Sequence, residues 1–461
     1  MINKIPEHPY RINIPMGVSS IQKGSQYLLV AFLLLITSLS STGCESSGTV
    51  GNDLIDKGEF MGSEILNVTE KRVIEENTFS GRLIFTAIGH LEDPVYGTVE
   101  ATGLIKPAIF RDQIEIISAA DTLYLRLIFE PDAYGDANSL SSFEIYELAE
   151  TWRGNQLRYN QPVPDLDRSV KIGEFTLADE DTVLVEMDHD WKMRFAEFYN
   201  STEDESIRDT EYRDNFPGIA IVPSGQNQKI RFLKTGRTQV DEQTVLTSFL
   251  INRPPLEEEN GEGEEGDGED DGENGDENGE DDENGEEEEV DDGIRLIGLR
   301  DWGSVVNRSG EPEQPEAIVM HNTERVLELD LQLPVERLSS KNITNAQLLL
   351  TKNRESENMY PQISRPESDL LRVHLFRDLP SDLMAEIFTR DPAFFRINDE
   401  GNDQFSIDIT QYVLDEVFGD VPGRKLYITT QIVNGIIYSD QFYDSTADES
   451  LKPRIVLTFL N

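Results

Sequence analysis

Short stretches in which apolar and polar residues alternate recur along this chain, the period-two pattern of strands with one buried face. In the first half they are residues 122–129 (TLYLRLIF), 143–148 (FEIYEL), 182–187 (TVLVEM), 218–222 (GIAIV) and 229–232. In the second half they are 325–333 (RVLELDLQL), 346–350, 371–376 (LRVHLF), 405–409, 425–431 and 454–459. Two stretches read instead as short helices, 191–199 (WKMRFAEFY) and 410–418 (TQYVLDEVF). Many short strands separated by polar turns such as Tyr134-Gly135-Asp136 predict a mainly β chain, built as two β-sandwich, jelly-roll-like domains. Each half runs through two central strands, a strand leading into one helix, and two closing strands. That order fits an ancient duplication, and it also fits two β-sandwiches without common ancestry.

Charge changes this picture at one place. The 461 residues include 40 Lys and Arg and 89 Asp and Glu, a net charge of −49. Residues 257–292 hold 23 of the acidic residues, no basic one, and a single apolar residue, Val290. A stretch of Glu, Asp, Gly and Asn cannot bury a core, so it is expected as an acidic disordered linker. As a neutral coil it would average roughly 30–35 Å end to end, and self-repulsion should stretch it. Asp267, Glu269, Asp271 and Gly272 partly match a calcium-binding loop, but the twelfth position is Asn278 instead of Glu, so the motif fails. So acidic a chain repels phosphate, which argues against nucleic acid as a partner.

Residues 27–36 (YLLVAFLLLI) form a ten-residue apolar run preceded by Lys23 and followed by small residues up to Ser41-Thr42-Gly43-Cys44. That is the layout of a secretory signal, and the run is short of the roughly 20 residues that span a bilayer. Met16 is the more ordinary start for such a leader. The segment resembles a bacterial lipoprotein signal, in which the cysteine becomes the first mature residue and carries lipid. Cys44 is the only cysteine and stands where that lipid anchor belongs; Ser41 departs from the branched aliphatic usual there. A plain signal peptide with an incidental Cys44 is the rival reading. The expected organisation is a signal peptide over 1–43, a flexible tether over 44–51, a sandwich domain over 52–251, the acidic linker over 252–293 and a second sandwich over 294–461.

Two resemblances follow. Ile88-Gly89-His90-Leu91-Glu92-Asp93-Pro94-Val95-Tyr96-Gly97, continuing to Ala101, resembles the hallmark of a domain-of-unknown-function family of lipid-anchored bacterial surface proteins. Asp121-Thr122-Leu123-Tyr124-Leu125, then Tyr134-Gly135-Asp136, then Ile145-Tyr146-Glu147-Leu148 continue the match, which covers roughly residues 50–250. The second half is similar to DNRLRE-type β-sandwich domains through 346–350, 372–376, Ser406-Ile407-Asp408-Ile409-Thr410 and the ending Ser439…Pro453-Arg454-Ile455-Val456-Leu457. Such domains imply non-catalytic accessory or wall-associated modules.

Candidate chemistry is sparse. One cysteine excludes an internal disulfide and a cysteine-type zinc or iron–sulfur site. His90, His189, His321 and His374 are far apart in sequence, and no phosphate-loop, nucleophile-elbow or zincin motif is present. Asp188-His189-Asp190 could be a metal cluster, but adjacent strand side chains point to opposite faces, and Asp at a strand-to-helix corner is a favoured cap, as Asp408 would be in the second half. Trp152, beside Arg153 and Gly154, reads first as a plug of the sandwich edge, and it is also the candidate for stacking on a sugar ring. Trp191 reads as a core anchor, and Trp302 as a residue pinning the chain to the second sandwich. The expectation is an exported protein of the cell envelope, lipid-anchored at the outer membrane or cell surface, without a cofactor. It would act as a non-catalytic binding or structural module for a neutral glycan or an envelope protein. The alternative is a surface glycoside hydrolase using paired carboxylates.

Overall fold

Every stretch expected as a strand forms one, some with their apolar residues on one buried face and others, such as 219–222, buried on both. Strand 122–128 is typical: Leu123, Leu125 and Leu127 are buried while Tyr124 and Arg126 are half-exposed. The computed structural model describes residues 61–68, 70–109, 116–225, 227–237, 245–254, 294–397, 403–419, 422–431 and 433–460. Cys44, the leader, the tether and the acidic stretch 257–292 lie outside these residues. Ser63–Phe459 form one compact unit.

The strands are β1 (Met61–Asn67), β2 (Glu70–Glu75), β3 (Phe85–Asp93), β4 (Gly97–Pro107), β5 (Thr122–Ile128), β6 (Tyr134–Asp136), β7 (Ser141–Leu148), β8 (Leu166–Leu177), β9 (Thr182–Glu186), β10 (Ile219–Ser224), β11 (Lys229–Lys234) and β12 (Ser248–Asn252). After the acidic stretch come β13 (Ile294–Ile297), β14 (Leu299–Ser309), β15 (Ala317–His321), β16 (Arg325–Asp330), β17 (Asn342–Thr351), β18 (Ile363–Ser364), β19 (Leu370–Phe376), β20 (Phe394–Ile397), β21 (Gln404–Asp408), β22 (Lys425–Thr430), β23 (Ser439–Tyr443) and β24 (Arg454–Leu460). The fold is mainly β, and its paired strands are antiparallel.

The first sandwich packs the row β4-β10-β7-β8 against β13-β12-β5-β9. Its core includes Ile105, Phe143, Ile145 and Ile221 from one sheet and Leu123, Leu125, Phe249 and Ile251 from the other. The second packs β2-β16-β22-β19-β20 against β1-β24-β17-β21, around Leu327, Val373, Ile428, Leu348, Ile407 and Leu457. Adding twelve to a strand's number carries most pairings of one sandwich into the other: β4–β10 and β16–β22, β7–β8 and β19–β20, β5–β9 and β17–β21, β5–β12 and β17–β24. The two sandwiches therefore share one pairing pattern. The turn between β15 and β16 departs from it, because those strands do not pair as β3 and β4 do.

The correspondence exposes an exchange. β14 lies antiparallel along β4, with Leu299 opposite Pro107 and Ser309 opposite Thr98. β2 lies along β16, with Arg325 opposite Glu75 and Asp330 opposite Glu70. The opening strands of each repeat therefore complete the other repeat's sandwich. Residues 294–309, expected in the second sandwich, belong in space to the first, and residues 61–75 belong to the second. Asn252 and Ile294, which flank the acidic stretch, are direct antiparallel partners, so the chain leaves and re-enters the same sheet there. A third apolar cluster, with Tyr134, Phe232, Val306, Phe376 and Tyr427, fills the space between the two cores.

Both expected helices form and plug the sandwiches. α1 (His189–Tyr199) buries Trp191 and Phe195, and Asp188 caps it by accepting the Trp191 amide at 2.9 Å. α2 (Glu205–Asn215) has no counterpart in the expectations, since its sequence ESIRDTEYRDN carries only Ile207 and Tyr212 as apolar marks; it buries Tyr212, which stacks on Phe216 at 4.9 Å. In the second half, α3 (Val335–Leu338), α4 (Glu355–Asn358) and α5 (Leu383–Thr389) precede α6 (Thr410–Phe418). Asp408 accepts the Thr410 amide at 2.9 Å, but it stands one residue before the N-cap position, Ile409, so it braces the corner without capping α6 as Asp188 caps α1.

The exchange sets an expectation for limited proteolysis. A Glu-specific protease should cut within 257–292 and give two fragments on a denaturing gel. Those fragments should elute together in size-exclusion chromatography without denaturant, because β2 and β14 still tie them. Two separately eluting folded fragments would contradict the strand pairing.

Candidate functional site

The turn between β3 and β4 carries Asp93-Pro94-Val95-Tyr96-Gly97 and is a densely hydrogen-bonded polar junction. Asp93 Oδ1 accepts the amides of Val95 at 2.8 Å and Tyr96 at 3.4 Å, which fixes the turn. Arg365, 272 residues away in sequence, donates to both carboxylate oxygens at 2.9 Å, and the Tyr134 hydroxyl donates to Oδ2 at 2.8 Å. Burial works against the Asp93 charge, but the Arg365 bonds, the Val95 amide and the Tyr134 hydroxyl outweigh it and hold the carboxyl below its ordinary value. Gly97 closes the turn at φ +77°, and a Cβ there would stand 2.5 Å from the Ser309 carbonyl oxygen. β14 can approach only because that Cβ is missing. Tyr96 is fully buried; its hydroxyl donates to Glu357, and burial, then the Glu357 charge, push its own ionisation far up.

The edge of the Tyr96 ring meets His321, with centroids 5.9 Å apart. His321 Nδ1 lies 2.9 Å from Ser439 Oγ and Nε2 lies 3.3 Å from Glu311. Arg325 grips Glu311 with two bonds of 2.9 and 2.7 Å. Burial, and then the Arg308 charge, push His321 down to about 3, so at neutral pH it is an uncharged ring. Burial pushes the Glu311 carboxyl up, but the His321 and Arg325 hydrogen bonds overcome it and bring it to about 2. The row Ser439–His321–Glu311 has the outline of a hydrolytic triad, yet a buried histidine so hard to protonate is a poor base for the serine proton.

Beyond Asp93 the junction opens into a cavity of about 170 Å³, bordered by Lys352, Glu357, Tyr360, Arg365, Glu367 and Asp440. Asp440 and Lys352 form a buried ion pair at 2.7 Å, with side chains 5% and 6% exposed. Burial raises the Asp440 carboxyl to about 6, with Lys352 opposing. Arg354 holds Glu367 and Asp403.

The residues singled out by sequence fall elsewhere. Cys44 lies outside the described residues. Trp152 is 7% exposed and packs with Leu104, Tyr146, Leu148 and Val305, so it closes a sandwich edge; in this position its ring face is not offered to a sugar. His189 and Asp190 are exposed while Asp188 caps α1. Among the described residues no three His, Cys, Asp or Glu side chains stand where they could hold a metal ion. Trp191 is a core anchor, as expected. Trp302 donates its indole N–H to the Leu83 carbonyl at 2.6 Å and sits on β14, which lies in the first sandwich instead of the second. Arg365, Glu357, His321 and Asp440 gave no sequence signal for this site, because most of their partners are distant in sequence: 272 positions for Arg365 and Asp93, 261 for Glu357 and Tyr96, and 118 for His321 and Ser439. The one visible trace was the Asp93–Gly97 motif itself.

No protein-family profile matches the chain, and no curated protein does. Among solved structures, PNGF-II aligns over 89% of this chain and 67% of its own, at 11% identity and a TM-score of 0.12. An alignment at that level carries no argument about fold or activity.

Two tests address the junction. Arg365→Ala leaves the Asp93 charge buried without its counter-ion and should lower unfolding free energy by roughly 3–5 kcal/mol in urea titrations; a loss under about 1 kcal/mol would mean the pair is dispensable. His321 is kept neutral in the folded chain, while the unfolded chain protonates it near its ordinary value. Its contribution is therefore present at pH 7 and is lost as pH falls from about 6.5 towards 3. The stability gap between wild type and His321→Gln should narrow by on the order of 2 kcal/mol from pH 7 to pH 5. A gap that stays constant over that range would contradict the neutral histidine.

Proposed function

We propose that this chain is an exported protein of the cell envelope, anchored through lipid on Cys44 and acting as a non-catalytic binding or structural module. The leader ending at Cys44, the chain's only cysteine, supports the anchor. The observation that carries the non-catalytic reading is how the charged groups of the polar junction are spent. Asp93 is held by Arg365, Glu311 by Arg325, Glu367 by Arg354, and Glu357 takes the Tyr96 hydroxyl. A glycoside hydrolase needs one protonated carboxyl and a second, free carboxylate facing the same cleft. Here the raised carboxyl, Asp440, is buried against Lys352, and the carboxylates beside it are already engaged. Such a network stabilises a surface and shapes it; it leaves little to move a proton.

The reading has a direct test in cells. Wild type should take up labelled fatty acid and fractionate with membranes, and Cys44→Ala should move it to the soluble fraction. The purified mature chain should show no turnover across a panel of glycosidase substrates. Membrane retention of the Ala variant would overturn the anchor, and turnover abolished by a single Asp or Glu change would overturn the non-catalytic reading.

A further inference from the structure

The cavity beside Asp93 contains a group that the scaffold leaves unused. Asp440 spends Oδ1 on Lys352, while Oδ2 is buried and has no hydrogen-bond partner among the described residues. A buried carboxylate oxygen without a donor is costly, on the order of 1–3 kcal/mol. Asp440 and its charged neighbours Lys352, Glu357 and Arg354 all border the cavity, so the carboxylate belongs to the wall of that space. Asp440 has something left to offer, as does its neighbour Gln441 in the same lining, whose amide oxygen and nitrogen are both buried without a hydrogen-bond partner among the described residues. Lys352 is further held by the Ser368 carbonyl at 2.8 Å, and Arg365 is spent on Asp93.

The lining decides the class of ligand. Lys352, Arg354 and Arg365 face Glu357, Glu367 and Asp440, three cations against three anions. A ligand with a net charge would meet like charges whichever its sign, and one without net charge avoids that cost. It must donate a hydrogen bond to Asp440 Oδ2, and the Asn358 amide at the exposed rim adds both a donor and an acceptor. Tyr360, half-buried against Val95 and Tyr96, supplies a partly apolar wall. Adjacent hydroxyls on a ring meet these demands together, since each O–H both donates and accepts. The volume of about 170 Å³ suits one ring better than a chain of them.

We propose that the Asp440 cavity is a binding site for a single neutral hydroxylated ring, the terminal unit of a neutral glycan. This rests on the binding-module reading above and names its ligand and place. The Asp93–Arg365 clamp then has a second use: it fixes Arg365 and the segment around Tyr360 as one wall of the site.

The test uses the purified mature chain with Cys44→Ser, without lipid. Glucose, galactose, mannose and N-acetylglucosamine are the neutral probes, with glucuronate and glucosamine as charged counterparts, read by saturation-transfer NMR and titration calorimetry. At least one neutral sugar should bind, with its charged counterpart weaker by about tenfold or more. Asp440→Asn should weaken that binding by about tenfold or more. Asn358→Ala, at the exposed rim, should weaken it several-fold with an unchanged melting temperature, which keeps the test valid if the Asp440 variant folds poorly. Binding of no neutral sugar, tighter binding of a charged counterpart, or affinity unchanged in both variants would overturn the site. Those failures would leave membrane partition through Cys44 untouched, whereas turnover of a glycoside would strike the non-catalytic reading itself.

Discussion

Strand β4 presents a row of backbone donors and acceptors along one side, and their partners come from beyond the acidic stretch, on β14. The same holds for β16, whose outer side is satisfied by β2. An unpaired edge of that length would be costly if buried and prone to association if exposed. Each sandwich is thus completed by strands belonging in sequence to the other. The constraint is mutual, so neither half has a finished sheet without the other. It also explains why the acidic stretch can be so long and so polar. It joins Asn252 to Ile294, neighbours in one sheet, and is not asked to hold two bodies together.

The polar junction follows from that arrangement. Once β14 lies on β4, the Gly97 turn comes under Ser309, and the neighbouring Asp93 meets Arg365. A buried ion pair contributes little net stability but makes wrong arrangements expensive, since either partner alone is a stranded charge. The neutral His321 works in the same way, accepting a place among Ser439, Glu311 and Tyr96 that a protonated ring could not take. These interactions specify one docking of the two sandwiches, and the small cavity at Asp440 adjoins them, sharing Glu357, Arg365 and Ser439.

Much of the local structure was legible in the sequence. Period-two alternation located strands such as β5, β7 and β19, and Asp188 was legible as a cap because a short acceptor before an apolar helix has few other uses; Asp408 misses the cap position by one residue. β8 was not foreseen: its twelve residues, LDRSVKIGEFTL, carry Arg168, Lys171 and Glu174 on an edge that needs little apolar burial. α2 hid for a similar reason. The exchange of strands had no local sign at all, because alternation says that a stretch is a strand and nothing about its neighbour. The same limit applied to the site. Asp93-Pro94-Val95-Tyr96-Gly97 stood out as a motif, but its partners Arg365 and Glu357 are ordinary charged residues until pairing brings them together. Trp152, among polar turn residues, fitted either an edge plug or a sugar platform, and its burial with Leu148, Leu157 and Val305 is that of the plug.

The reciprocal exchange is open to a direct measurement with paired cysteines in a Cys44→Ser background. Glu100 and Asn307 are exposed and directly opposite each other on β4 and β14; Arg72 and Glu328 are opposite on β2 and β16. Directly opposed strand residues come within reach of a disulfide. Mild oxidation of Glu100→Cys/Asn307→Cys, and separately of Arg72→Cys/Glu328→Cys, should form a bond within one chain. The two fragments made by cutting the acidic stretch should then stay covalently joined on a non-reducing denaturing gel. Free thiols after oxidation, or fragments that separate without reductant, would contradict the exchange.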